Sequence, residues 1–116
     1  MTPPKPAAPK PWPTIKESEL LRTRVFSLKE RRCRSPRTGE EGDYYVFEMP
    51  DWVNVVAITD DDELVFVRQY RHGNRETTLE IPGGMVDPED PDPCAAAARE
   101  LLEETGYAAT EVKHLG

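Results

Sequence analysis

Three glutamates near the end of the chain hold the densest chemistry in the sequence. Glu100, Glu103 and Glu104 lie at i, i+3 and i+4 in CAAAARELLEET, a spacing that puts three carboxylates on one face of a helix. Like charges so placed repel one another, and clustering raises carboxylate pKa values. A hard divalent cation with oxygen ligands, Mg²⁺ foremost, relieves both effects. Taken alone, the three acids are more simply the solvated face of an amphipathic helix, with Ala98, Leu101 and Leu102 as its apolar side. Just upstream, LEIPGG runs from a short strand into Pro82-Gly83-Gly84, where glycine permits close backbone approach and a functional loop.

The elements that must position these groups follow from local chemistry. Asp92-Pro93 reads as an N-cap followed by proline at the first helical position, residues 94–105 as helix, and Gly106 as its C-terminal cap. Residues 85–91 (MVDPEDP) have neither helical nor strand period. Strands are expected at 43–49, at 78–81, and as a hairpin of 52–59 with 64–69 around the acidic turn 60–63. A looser strand pattern lies at 25–28, and residues 31–43, rich in charge, Gly and Pro, read as a loop. Residues 112–115 can open a further strand. The runs 52–59 and 64–69 are apolar nearly throughout, which predicts burial on both faces. One helix covers one face of a sheet, so the expectation is a fragment, or a chain completed by association.

The segment GMVDPEDPDPCAAAARELLEETGY, residues 84–107, resembles the Nudix box of the Nudix hydrolases. Gly84, Arg99, Glu100, Leu101, Glu103, Glu104, Gly106 and Tyr107 occupy matching roles, and LEIPGG is the strand and loop that precede such a box. One departure stands out. The spacing from Gly84 to Arg99 is one residue longer than the family pattern, so Pro91 or Asp90, depending on the direction of counting, falls where the first box glutamate belongs. The expectation is that Asp90 or Glu89 reaches Arg99 instead. Upstream, DWVNVVAIT and LVFVRQYRHG are similar to the subgroup that hydrolyses ADP-ribose and nucleoside diphosphate sugars.

The resemblance implies an α/β/α sandwich with a mixed sheet, here expected to be truncated after the box helix. It implies Mg²⁺ dependence, with Mn²⁺ as a substitute, a nucleotide-type substrate, and homodimers built partly through N-terminal strands. Carried over by position, Glu100 and Glu104 are metal ligands. Glu103 is a third ligand or acts through water, and the three glutamates form the catalytic set. The Gly83 carbonyl resembles a backbone ligand. Arg68, Arg71 and Glu80 match substrate-side positions, although a surface salt bridge is an equally simple role for each arginine. Gly84, Arg99 and Gly106 are structural. A non-catalytic Nudix-like module that binds a nucleotide and regulates a partner is the alternative.

Other residues have plainer readings. Trp52 is expected in the core, with base stacking as its alternative. His72 is expected to face solvent, and Cys33 and Cys94 to be ordinary thiols. No general base is evident, since Glu111 follows too soon after the helix; the isolated chain is therefore expected to be inactive or weak.

Composition limits the classes of function. The chain has 116 residues, 37% hydrophobic and 32% charged, with 15 Lys+Arg against 22 Asp+Glu and a net charge of −7. An acidic chain without a basic block is unsuited to nucleic acid, no apolar run is long enough to span a bilayer, and the N-terminus lacks a signal-like apolar stretch. A cytoplasmic setting is the default. Six of the twelve prolines fall in residues 1–13, which predicts an extended or disordered tail over 1–14. N-terminal strands, a candidate dimerisation element, follow in 15–50, and the Nudix core in 51–116.

Overall fold

The computed structural model describes residues 1–5 and 7–116; Pro6, within the proline-rich tail, lies outside the described residues. Two compact units divide the chain, Met1–Met49 and Pro50–Gly116.

The first unit is a three-stranded antiparallel sheet in the order β1 (Thr14–Arg22), β2 (Ser27–Arg34) and β3 (Glu41–Glu48). Its central strand, SLKERRCR, has no apolar alternation. It is held instead by charge: Arg31 lies between Glu17 of β1 and Glu48 of β3, with Lys29 beside the same two carboxylates. Arg32 pairs with Asp43, and Arg34 with Glu41. Opposite charges facing one another across strands each add a few tenths to about 1 kcal/mol to a sheet. Charge alone suggested a loop over 31–43; the structure corrects this, with strand to Arg34 and a turn over 35–40. That turn is built on buried Ser35, whose Oγ accepts from the Arg37 and Thr38 amides, and on Gly39 at φ 79°.

The second unit begins with β4 (Trp52–Asn54), which pairs antiparallel with β7 (Gly83–Met85). The backbone bonds Val55 N to Pro82 O and Val86 N to Asp51 O extend that pairing. The expected hairpin over 52–69 is reduced to a single bridge, Ile58 to Leu64, closed by the turn at 59–63. β5 (Val67–Arg71) pairs instead with β6 (Glu76–Glu80) around a turn in which Arg75 takes φ 60° and Asn74 Oδ1 accepts the Glu76 amide. Every strand pairing among the described residues is antiparallel, and 112–115 form no strand.

Helix α1 (Pro93–Thr105) has the expected ends: Asp92 Oδ1 accepts the Ala95 amide at 2.8 Å, and Gly106 closes the helix at φ 79° with its amide on Leu102 O. Ala96, Ala97 and Leu101 are buried on the side of α1 that meets β4 and β7. Leu102 is exposed, so the apolar face runs through Ala97 and Leu101 rather than Leu102. Val56, Ile58, Leu64 and Phe66 are exposed as well. The apolar runs 52–59 and 64–69 are therefore not buried on both faces in this chain, because one helix of small residues cannot cover them.

Candidate active site

The site forms where the acidic face in the C-terminal half of α1 meets Gly83 and Gly84, which the sequence read as a loop and which the structure pairs with β4 as strand β7. Both glycines are buried. A Cβ at Gly84 would fall on the Glu100 carboxylate, and one at Gly83 on the Val53 carbonyl. At Gly83 the β4 backbone leaves no room for a side chain, and at Gly84 the space is taken by the Glu100 carboxylate. The Glu100 side chain is only 14% exposed.

Glu104, one turn on, bridges two elements: Oε1 accepts Gln69 Nε2 of β5 at 2.7 Å and Oε2 accepts the Gly83 amide of β7 at 3.1 Å. Glu103 is different. Its side chain is 59% exposed, and Arg99 Nη1 reaches it at 3.3 Å. Helical spacing does put the three acids on one side, but the packing brings only Glu100 and Glu104 to the loop.

Arg99 organises the approach. Nε and Nη2 donate to Asp90 Oδ1 and Oδ2 at 3.1 and 2.8 Å, Nη2 also to Met85 O at 3.0 Å, and Nη1 to Glu100 Oε1 at 3.0 Å. Asp87 stands 3.4 Å away. The partner of Arg99 in the lengthened loop is thus Asp90, not Glu89. Asp90 Oδ2 also accepts the Asp87 amide at 2.8 Å. The Arg99 guanidinium, aided by that amide, holds the Asp90 carboxyl below its ordinary pKa, and Asp90 in turn raises that of Arg99.

β5 and β6 sort the remaining candidates by face. Gln69, Arg71, Thr78 and Glu80 are half-buried on one side, while Arg68, Tyr70 and Leu79 are exposed on the other. Arg71 forks onto Glu80, Nε at 3.0–3.1 Å and Nη2 at 2.6 Å, which lowers the Glu80 pKa and raises that of Arg71. Trp52, Asn54, Arg71, Glu80, Ile81 and Gly83 line a cavity of about 500 Å³; Arg68 is not among them. Trp52, expected in the core, is 49% exposed at its wall. Gln69 and Asn54 were not singled out by sequence, although alternation from Arg71 puts Gln69 on the same face.

The Nudix pattern implies a divalent cation, and the residues at the loop fit one. The donors are carboxylate and peptide oxygens only, the set that hard divalent ions take, and the space over Gly84 is kept clear of any Cβ for the Glu100 carboxylate. The fit rests on Glu100 and Glu104. Among the described residues no three His, Cys, Asp or Glu side chains are gathered to hold an ion, Arg99 and Gln69 engaging the acids instead.

The sequence pattern of the NUDIX domain matches residues 49–116. The chain belongs to the NUDIX family. This NUDIX chain is 34% identical over 102 residues to the methanol dehydrogenase activator of Bacillus methanolicus, covering 88% of this chain and 54% of that protein. It is 31% identical over 99 residues to the ADP-ribose pyrophosphatase of Bacillus subtilis (strain 168), covering 85% and 52%. A crystal structure of an ADP compounds hydrolase superposes with a TM-score of 0.76 at 26% identity, over 91% of this chain and 57% of that one. The NUDIX chain spans about half the length of these relatives, and its strands with one helix agree with the α/β Nudix fold. No helix among the described residues is long and apolar enough to cross a membrane.

Proposed function

We propose that the protein hydrolyses a nucleoside diphosphate linked to another group, ADP-ribose or a nucleotide sugar, to a nucleoside monophosphate and a sugar phosphate. The observation that carries this reading is the meeting of Glu100 and Glu104 with the Gly83–Gly84 loop, in a chain similar to ADP-ribose pyrophosphatases. Glu100 and Glu104, with the Gly83 carbonyl, would hold Mg²⁺ or Mn²⁺, and Glu103 would join directly or through water. Such an ion neutralises charge developing on phosphate oxygens and polarises the attacking water.

The chain's own residues supply the rest. Arg71, fixed by Glu80, offers its guanidinium to the diphosphate, a task that arginine's forked donors suit. Arg68, on the opposite face, can reach the substrate only from the other side of β5. Arg99 orients the loop through Asp90 and Met85 O, keeping Glu100 over Gly84. The reading includes a cytoplasmic homodimer using the N-terminal strands.

A regulatory, nucleotide-binding role is the second reading. It is favoured by the likeness to a methanol dehydrogenase activator and by the engagement of Glu100 and Glu103 with Arg99.

The test is to incubate the protein and Mg²⁺ with ADP-ribose, nucleotide sugars and nucleoside triphosphates, and to identify the products. Nucleoside monophosphate plus sugar phosphate is expected. Nucleotide binding without turnover of any of them would favour the regulatory reading.

A further inference from the structure

Trp52 sits where a soluble chain gains nothing from leaving an indole uncovered. The residue is 49% exposed, yet its side chain is held: Nε1 donates to Asn54 Oδ1 at 3.2 Å, and the strand register with Met85 fixes its backbone beside the buried glycines of β7. A large, held aromatic face with a polar edge is how tryptophan serves binding surfaces.

The groups around it complete a recognisable set. The Arg71 guanidinium stands over the ring, 5.9 Å from its centroid, at the outer limit of cation–π contact. Glu80 takes Arg71 Nε and Nη2, and among the described residues Nη1 makes no hydrogen bond. Nor does the Asn54 amide nitrogen, whose oxygen is already used by Trp52. The cavity of about 500 Å³ therefore presents an aromatic face, two unused donors, and a cation beside the candidate metal loop. A phosphate alone would need only the cation. The aromatic face and edge donors suit a flat heterocycle attached to that phosphate, because every nucleobase has a π-face and acceptors on its rim.

We propose that Trp52 is the stacking platform for the nucleobase of the substrate, with Asn54 and Arg71 Nη1 reading its rim and adjoining phosphate. This rests on reading the site as one for a nucleoside diphosphate compound, and it makes Trp52 a specificity-determining residue.

The probes are AMP and ribose 5-phosphate, which share a sugar phosphate and differ in the base. In a Trp12→Phe chain, Trp52 is the remaining tryptophan, and AMP should quench its emission while ribose 5-phosphate should not. By calorimetry, Trp52→Leu should weaken AMP at least about tenfold and Trp52→Phe less than about threefold, as base stacking on aromatics predicts, with ribose 5-phosphate unchanged in both. Unquenched emission at saturating AMP, unchanged AMP affinity in Trp52→Leu, or an equal loss for both ligands would overturn the proposal. Should Trp52→Leu not fold, the quenching decides. A protein that binds AMP through Trp52 yet hydrolyses none of the candidate substrates would leave this proposal standing and remove the hydrolase reading. One that turns over its substrate with AMP binding indifferent to Trp52 would do the reverse.

Discussion

Asp90 and Arg99 meet in a two-pronged ion pair, Nε to Oδ1 at 3.1 Å and Nη2 to Oδ2 at 2.8 Å, with Asp90 only 9% exposed. The extra residue in the loop thereby restores a carboxylate to the arginine that Pro91 cannot serve. Arg99 in turn touches Glu100, so Asp90 lies one step from the candidate metal ligands. Partners of that kind typically matter ~10–100-fold in metal affinity. Asp90→Ala is expected to weaken Mn²⁺ by about that factor, and Asp90→Glu to recover part of it, both by calorimetry. Equal affinity in Asp90→Ala would show that Arg99 needs no anchor.

Gly84→Ala separates site from fold. The atoms nearest the added methyl are the far end of the flexible Glu100 side chain, which can swing away while the backbone stays. The thermal midpoint should change little, and Mn²⁺ affinity should fall at least about tenfold, as when a first ligand is displaced. Unfolding of Gly84→Ala would indicate that the loop, not the carboxylate, needs the glycine.

Acid should loosen the N-terminal sheet. Side-chain hydrogen bonds from Arg31, Arg22 and Arg32, respectively, lower the pKa values of Glu17, Glu19 and Asp43 from their ordinary 4.5, 4.5 and 3.8. A depressed carboxylate pKa adds stability that is complete above the ordinary value and is lost as pH falls through the folded one. Sheet signal by circular dichroism should therefore hold above about pH 5 and decline below pH 4. These pairs are exposed, so high salt should shrink the effect. A sheet indifferent to both would mean that the charges contribute nothing.

The helix depends on its cap. Asp92→Ala removes the acceptor of the Ala95 amide and should cost about 0.5–2 kcal/mol of stability by denaturant titration. Asp92→Asn should keep most of it.

Much of this was legible in the sequence, and the rest was hidden for identifiable reasons. The helix could be read because Asp92, Pro93 and Gly106 each have a local, short-range effect. The pairing of Arg99 followed from counting residues between Gly84 and Arg99. The strands β1 and β2 were not legible beyond Val25–Leu28, because cross-strand ion pairs such as Arg31 with Glu17 and Glu48 have no period that one strand reveals. Residues 64–69 were assigned as the partner of 52–59, whereas Val67–Arg71 pairs with Glu76–Glu80; in the turn 72–75 the positive φ falls on Arg75 and not on Gly73, so the glycine did not mark a hairpin. Glu100, Glu103 and Glu104 share a face by spacing, but only contact with Gly83 and Gly84 separates the first and third from the second. Gln69 and Trp52 carry no motif at all, and their place at the site emerges from strand register.

The most direct test of the central claim, that Glu100 and Glu104 hold a divalent cation at the glycine loop, is a Mn²⁺ titration of the protein and its Glu104→Gln variant followed by electron paramagnetic resonance. One site is expected in the parent chain, weakened at least about tenfold in Glu104→Gln. Unchanged affinity in that variant, or no site in the parent, would contradict it.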